Sequence, residues 1–241
     1  MGVGAYGTAT FDAFEATAIH ALSRNFQINA SYTFGKALSF AAPGIAIPSL
    51  YRLNYGNTAG VQRNNAGIAL ILTSPFGKNQ SWVTSGVPAQ ILGNWKLETV
   101  ASLRTGSPFT VTGSNTTLNA AGSTQFANCS APKKIGTPSE WYDRSDFSEP
   151  TTGTIGNCGE NTLWGPATNT LDAAVDRIFP VYREKQLEFR ASMFNTPNNP
   201  HHATPTSSLT SSSFMQALGI ANTGRDGVDQ RTVELSLRVD F

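Results

Sequence analysis

The sequence is poor in charge and has no long hydrophobic run. Asp, Glu, Lys and Arg make up 14% of the 241 residues and leave a formal net charge of +1, whereas soluble proteins average about 25% charged residues. This balance argues against a basic nucleic-acid-binding surface, so no nucleic-acid partner is expected. The absence of any run of about 18 apolar residues excludes a transmembrane helix.

The N-terminus lacks an export signal. Residues 1–7 read Met-Gly-Val-Gly-Ala-Tyr-Gly, without the basic stretch or the apolar core of a signal peptide. We therefore expect either a chain that is not exported as it stands or a parent protein whose front precedes Met1.

The last eleven residues, 231–241, alternate strictly between apolar and polar side chains. Successive side chains of a strand lie on opposite faces, so this segment predicts a strand with one apolar face. Its length suits a bilayer crossing, which takes about 9–11 residues, better than a typical soluble strand of about 5–6. The apolar members are Val233, Leu235, Leu237, Val239 and Phe241.

Six further segments show the same period of two: residues 14–20, 26–34, 66–73, 95–105, 171–179 and 186–194. The mean hydropathy of −0.20 agrees with membrane strands, because inward polar residues cancel outward apolar ones. The predicted fold is all-β, an antiparallel up-and-down meander of about seven long strands that forms a partial transmembrane β-barrel with long extracellular loops.

The predicted connections alternate between short and long. Residues 23–25, 75–94 and 180–185 form the shorter ones, and residues 36–65, 106–168 and 195–227 the long ones. Outer-membrane barrels have short periplasmic turns and longer extracellular loops. A periplasmic C-terminus therefore places every long connection, including the longest at 106–168, outside the cell.

Aromatic residues fall at the predicted strand ends, as the two bilayer interfaces favour. The periplasmic girdle consists of Phe26, Trp95, Phe179 and Phe241, and the outer girdle of Phe14, Tyr32, Phe34 and Phe194.

Charged residues occupy the polar face of the predicted strands and would line the barrel lumen. Opposite charges on neighbouring strands could pair there. The lumen could be a substrate-binding wall, or it could contact only a plug and water. The residues are Lys96, Glu98, Arg104, Asp172, Asp176, Glu188, Arg190, Glu234 and Arg238, with Asp240 at the strand end.

Six motifs follow one another along nearly the whole chain. They are residues 26–37 (FQINASYTFGKA), 74–78 (SPFGK), 92–97 (LGNWKL) with 105–111 (TGSPFTV), Gly165-Pro166, 189–195 (FRASMFN) with Asn199-Pro200, and the terminal strand. In this order they resemble the C-terminal part of the barrel of TonB-dependent outer-membrane receptors, especially the acidobacterial type with a carboxypeptidase-regulatory-like front domain.

The resemblance implies an importer of a scarce nutrient in the outer membrane of a Gram-negative-type bacterium. Its partners would be outer-membrane lipid, an N-terminal plug domain, a TonB-type energy-coupling protein and the barrel-assembly machinery. The resemblance also implies that Val233, Leu235, Leu237, Val239 and Phe241 form the signal that this machinery recognises.

The chain departs from this family in having no plug and about seven strands instead of roughly 22. Because bacterial single-chain barrels have even strand numbers, residues 1–241 are expected to be the C-terminal segment of a larger barrel, without the plug and the N-terminal strands. Two alternatives remain: a small outer-membrane barrel or adhesin-like protein, and a soluble carbohydrate-binding β-sandwich.

The two cysteines of the chain, Cys129 and Cys158, both lie in the longest loop. Two cysteines allow one pairing, and an extracellular loop is exposed to oxidising conditions. A disulfide between them is expected. It would hold Trp141 and Tyr142, which lie between the two cysteines in the sequence, near the barrel mouth as a first contact for a ligand.

No arrangement of residues predicts catalysis, so an enzyme is not expected, nor a cofactor or a metal. Gly2–Gly7 matches the letters of a dinucleotide-binding loop, but the strand and helix that such a loop needs are missing. The adjacent His201 and His202 lack a nearby acidic or cysteine partner in the sequence. We therefore interpret them as part of a polar external loop.

Overall fold

The structure is a computed structural model that describes residues 7–23, 25–40, 48–78, 80–117, 124–182, 185–221 and 229–240. Among these residues the main sheet has eight strands, seven of which follow one another along a single antiparallel path. The path runs through β1 (Ala9–Ser23), β2 (Phe26–Phe40), β4 (Asn64–Thr73), β5 (Trp95–Arg104), β12 (Thr168–Tyr182), β13 (Lys185–Phe194) and β14 (Thr232–Asp240), while β3 (Tyr55–Asn57) pairs with β2 alone.

The seven predicted strands are therefore confirmed, and three of them are longer than their patterns indicated by six residues or more. β1, β2 and β12 each have 15 residues. β2 continues through residues 36–40, which we had expected to be loop, because Lys36 to Ser39 pair with Asp12 to Ala9 of β1. β12 likewise continues through Pro180 to Tyr182, so the connection to β13 is shorter than predicted.

Strict alternation gives the sheet one apolar and one polar face. Residues paired across an antiparallel ladder share a face: Leu237 lies opposite Phe189, whereas Ser236 lies opposite Arg190. The apolar face is uncovered, with Leu235 71% and Leu237 67% exposed. A soluble sandwich would bury these side chains in its core, so the structure does not support the sandwich alternative.

The hydrophobic core lies outside this sheet, in the long connections. Its buried residues come from 106–166 and 201–217, which we call the loop unit; they are Phe109, Val111, Ala127, Trp141, Tyr142, Phe147, Cys158, Leu163, Phe214 and Met215. The sequence predicts residues 106–168 only as a long loop, whereas in the structure this connection contributes most of the buried core residues. Too few of its residues alternate to give a strand signal, but enough apolar side chains meet to form a core.

The loop unit is built from short strands: β6 (Pro108–Phe109), β7 (Asn128–Cys129), β8 (Lys134–Thr137), β9 (Glu140–Tyr142), β10 (Phe147–Ser148) and β11 (Leu163–Trp164). They pair as β6 with β11, β7 with β10 and β8 with β9. Short 3-10 turns occur at Pro48–Asn54, Asn115–Thr117 and Arg144–Asp146.

Because the strands alternate in direction, the three long connections lie at one end of the sheet, the loop end. The connections β1–β2, β4–β5 and β12–β13 lie at the other, the turn end. The β4–β5 connection contains a helix that was not predicted, α1 (Gly86–Leu92), which is too short to give a periodic signal. Within the described ranges, no helix has the length and apolar character needed to cross a membrane.

Candidate functional site

A network of four charged side chains crosses the polar face on three neighbouring strands. Arg190 of β13 donates to Asp176 of β12 (Nη1–Oδ1, 2.8 Å) and to Glu98 of β5 (Nη2–Oε2, 3.1 Å). Glu98 also pairs with Lys96 two residues earlier on β5. The register explains the contacts, because Asp176 lies directly opposite both Arg190 and Lys96.

This network balances two cations against two carboxylates. The side chain of Asp176 is only 8% exposed, whereas that of Arg190 is 39% exposed. Burial makes Asp176 dependent on its partner, since a buried carboxylate without a cation is costly. The network therefore links side chains of three strands and presents a neutral but strongly polar wall.

The other residues predicted to face the lumen lie on the same polar face. Glu188 is opposite Arg238, and Ser192 is opposite Glu234. Arg104 is opposite Thr168, two positions further along the same face of β5 from Ser102. Asp172 shares this face but accepts a hydrogen bond from the backbone N–H of Asn195 (2.9 Å) at the loop end. Asp240 pairs with Arg238 in an exposed ion pair (2.9 Å).

The predicted girdle residues divide between the faces. Phe26, Trp95 and Phe179 lie on the apolar face at the turn end, and Phe14, Tyr32 and Phe34 on the same face towards the loop end. The assignment of Phe194 to the outer girdle was wrong. Phe194 lies two and four residues from Ser192 and Arg190 on β13, so it shares their face of the sheet. It lines a cleft with Glu98 on this polar face. Phe241, predicted for the girdle and the assembly signal, lies outside the described residues.

The remaining members of the predicted assembly signal, Val233, Leu235, Leu237 and Val239, form the exposed apolar face of β14. β14 lies at the edge of the described sheet, paired with β13 only.

Cys129 and Cys158 form a disulfide in the structure, with their Cα atoms 5.1 Å apart. The bond joins β7 to the segment before β11, and Cys158 N donates to Ala127 O (3.0 Å). Close packing explains why residue 156 is glycine: a Cβ there would collide with the carbonyl oxygens of Phe126 and Ala127.

Trp141 and Tyr142 had been expected to offer a first contact for a ligand between the cysteines. That interpretation was wrong, because both are core residues, 8% and 6% exposed. Trp141 Nε1 donates to the carbonyl oxygen of Trp164 (2.8 Å), and so does the hydroxyl of Tyr142 (3.3 Å). The aromatic ring that remains partly exposed is that of Trp164, with the guanidinium of Arg63 4.8 Å from its centroid.

The loop unit joins the second and third long connections and is also bonded to the first. Thr112 N donates to Ser207 O (3.0 Å), and Trp141 N donates to Met215 O (2.8 Å). In the first connection, Asn57 and Asn161 exchange two side chain to backbone hydrogen bonds of 2.7 and 2.8 Å. The loops are thus one folded body at the loop end.

One exposed carboxyl of the loop unit has a shifted pKa. The side-chain hydroxyl and the backbone N–H of Ser145 both donate to Asp143 Oδ1 (2.6 and 3.0 Å). These bonds favour the carboxylate and hold the pKa of Asp143 below its usual value. Asp143 thereby caps the 3-10 turn at Arg144–Asp146.

His201 is buried, contrary to our interpretation of it as part of a polar external loop. Its Nδ1 lies 2.5 Å from Asp229 Oδ1 and its Nε2 lies 2.7 Å from Asn169 O. The side chains of His201 and Asp229 are 4% and 3% exposed. The pair joins the third long connection to the start of β12. Sequence spacing could not reveal it, because the partner is 28 residues away.

Within the described part of the chain, no group of three or more His, Cys, Asp or Glu residues is placed to hold a metal ion.

Comparison with known proteins gives one match. A family model described as an outer membrane beta barrel domain matches residues 2–233. No curated protein and no solved structure matches the chain. The matched region contains the first six strands of the path, the loop unit and the charged network, and it ends at Val233, the second residue of β14.

Proposed function

We propose, from the premise that the chain belongs to the family of outer membrane beta barrel domains, that it is the C-terminal part of the barrel of an energised nutrient importer of the TonB-dependent type. The chain is an outer-membrane barrel protein. The proposal concerns what that barrel does.

The observation that carries the proposal is the open sheet. Among the described residues, β1 pairs only with β2, and β14 only with β13, so no ladder joins the first strand to the last. An unpaired strand edge cannot lie in lipid, because its backbone N–H and C=O groups would have no partners. Additional strands of a larger barrel would satisfy both edges, as in the importer family that the sequence motifs resemble.

The polar wall supports the same proposal. A wide barrel needs a filled lumen, and the ion-paired surface of Lys96, Glu98, Asp176 and Arg190 offers a plug a rigid polar face. In the proposed importer, the plug domain would contact this wall, and a TonB-type periplasmic protein would act on the plug. The barrel-assembly machinery would recognise the apolar face of β14.

The loop unit supports an extracellular role for the loop end. Long folded loops outside and short turns inside are the usual arrangement of outer-membrane barrels. In this orientation the loop unit covers the outer mouth. Its Trp164 and Lys134, together with Arg63 of the first long connection, place aromatic and polar groups around a cleft of about 290 Å³. This cleft is where we propose that the nutrient first binds.

The first test is the size of the native protein. The protein is isolated from the outer membrane through an affinity tag inserted after Gly153, an exposed glycine whose surroundings leave open space. The importer proposal expects a product far longer than 241 residues, with peptides from a plug domain. A folded product of about this length would refute it and would favour the small barrel or adhesin-like alternative.

The second test is orientation. A tag after Gly153 at the loop end should bind antibody on intact cells, whereas the same tag after Thr84, an exposed residue at the turn end, should bind only after lysis. The reverse pattern would contradict the proposed orientation of every strand.

A further inference from the structure

Helix α1 exposes its apolar side chains. Val87 is 65% exposed and Ile91 58%, while Leu92 and the nearby Trp82 are also exposed. The helix has seven residues and buries only Ala89. A helix at a protein surface in water normally buries its apolar side chains, so α1 has the opposite arrangement. Contiguous exposed apolar surface usually marks an interaction site.

The helix is attached to the apolar face of the sheet. Trp95, the first residue of β5, donates its Nε1–H to Ile91 O (2.9 Å). Arg177, directly opposite Trp95 on β12, donates Nη2–H to Gln90 O. The exposed surface of α1 is therefore continuous with the face that meets lipid in an outer-membrane barrel.

Arg177 is an unusual residue for that face. Its guanidinium lies between two aromatic rings, 5.0 Å from the centroid of Trp95 and 4.4 Å from that of Phe179. In the described ranges no carboxylate pairs with it, and its Nε is buried without a hydrogen-bond acceptor. A cation at the edge of a bilayer is stabilised by an anion at the level of the lipid headgroups.

A cleft of about 760 Å³ opens beside Arg177, between α1 and the turn end of β12. Lys78 is the second cation of its lining, and Thr84 and Ser85 add hydroxyl groups. The lining contains no carboxylate among the described residues. Two cations and two hydroxyls are suited to a phosphate group, which takes charge-assisted hydrogen bonds from such donors.

We propose that α1, Lys78 and Arg177 form a phospholipid-binding site at the turn end of the barrel. The lipid phosphate lies in the cleft. The parts of the acyl chains nearest the headgroups contact Val87, Ile91 and Trp82. Trp95 and Phe179 mark this level, since aromatic side chains collect at the membrane interface. The site does not depend on transport, because any outer-membrane barrel with these residues would have it.

The membrane position of α1 is tested by spin labelling of the full chain in phosphatidylglycerol nanodiscs. The label replaces Val87 through Val87→Cys, and the matched control is Leu218→Cys, which is 64% exposed but lies at the loop end. We expect the Val87 label to be reached by oxygen and shielded from a water-soluble nickel complex, and the Leu218 label to be reached by the nickel complex. Accessibility of the Val87 label to the nickel complex would overturn the proposal. So would an immobilised Val87 label that protein shields from both reagents.

The phosphate site is tested by native mass spectrometry of the detergent-solubilised full chain with dioleoylphosphatidylglycerol or dioleoylglycerol, which lacks the phosphate. Loss of the charge-assisted bonds in the double variant Lys78→Gln, Arg177→Gln should weaken phosphatidylglycerol binding about tenfold or more. The control Arg63→Gln removes the other arginine that lies over a tryptophan, at the loop end, and should leave binding unchanged. Equal binding of the two lipids, or equal binding by the double variant and the unaltered chain, would refute the site.

Discussion

Replacing Leu237 with lysine tests which face of β14 meets lipid. Leu237 is 67% exposed, and it lies opposite Phe189 on the apolar face. It is three residues from the end of β14 at Asp240, or about 10 Å along the strand at about 3.4 Å per residue. With the usual strand tilt of about 40°, this length corresponds to a depth of about 8 Å, which is inside an apolar band about 25 Å tall.

A lysine on the lipid face costs about 2–4 kcal/mol at the midplane and about 0–1 kcal/mol near the interfaces. For Leu237→Lys we expect a loss of about 2 kcal/mol, equivalent to a roughly 30-fold lower ratio of folded to unfolded protein. The control Glu234→Lys introduces the same side chain on the polar face of the same strand, opposite Ser192.

The measurement is equilibrium denaturation of the full-length protein in phospholipid vesicles, together with the folded fraction in outer membranes judged from resistance to detergent before heating. Leu237→Lys should lower both, and Glu234→Lys should change them by less than half as much. Equal losses for the two variants would refute the assigned faces of β14 and, through the register, of the whole sheet.

Three further predictions concern single contacts. Thiol labelling of intact cells should modify Cys129 and Cys158 only after reduction, and Cys158→Ser should destabilise the loop unit by about 3–4 kcal/mol in the chain-entropy model; labelling without reductant would contradict the disulfide. Arg190→Gln should cost about 1–3 kcal/mol in chemical denaturation, because it leaves buried Asp176 without its cation; the exposed ion pair of Arg238 supplies the control, as Arg238→Gln should cost less than about 1 kcal/mol. His201→Ala should weaken the loop end by about 1–3 kcal/mol in hydrogen exchange, since it removes the buried imidazole that bonds to Asp229 Oδ1 and to Asn169 O; an effect no larger than that of His202→Ala would argue against the pair.

The sheet could be predicted from the sequence because each long strand carries its own signal. In β14 an apolar residue stands at every second position from Val233 to Val239, between polar residues from Thr232 to Asp240. That pattern predicts both the strand and its two faces. The strand ends were less certain. Residues 36–40 do not alternate clearly, and only the ladders with β1 and β3 show that they continue β2.

The loop unit could not be predicted, since its contacts join residues that are far apart in sequence. Its strands have two to four residues, too short for a period of two to appear. Trp141 is held by Trp164, 23 residues later, and its backbone by Met215. Such a core is decided by which side chains meet in space. For the same reason the exposed role expected for Trp141 was wrong, and the partner of His201 was missed.

The sharing of one core by residues 106–166 and 201–217 also sets an order of events during biogenesis. The two segments are separated in the chain by the β12–β13 hairpin. Trp141 cannot meet Met215 until that hairpin has been made and has carried the second segment to the same side of the membrane. Contacts of such high sequence separation form slowly, so the loop unit is expected to close late, after its supporting strands have paired. Once closed, the loop unit joins β5, β12 and β13 at the loop end. A hairpin that had paired out of register could not bring the two halves of this core together.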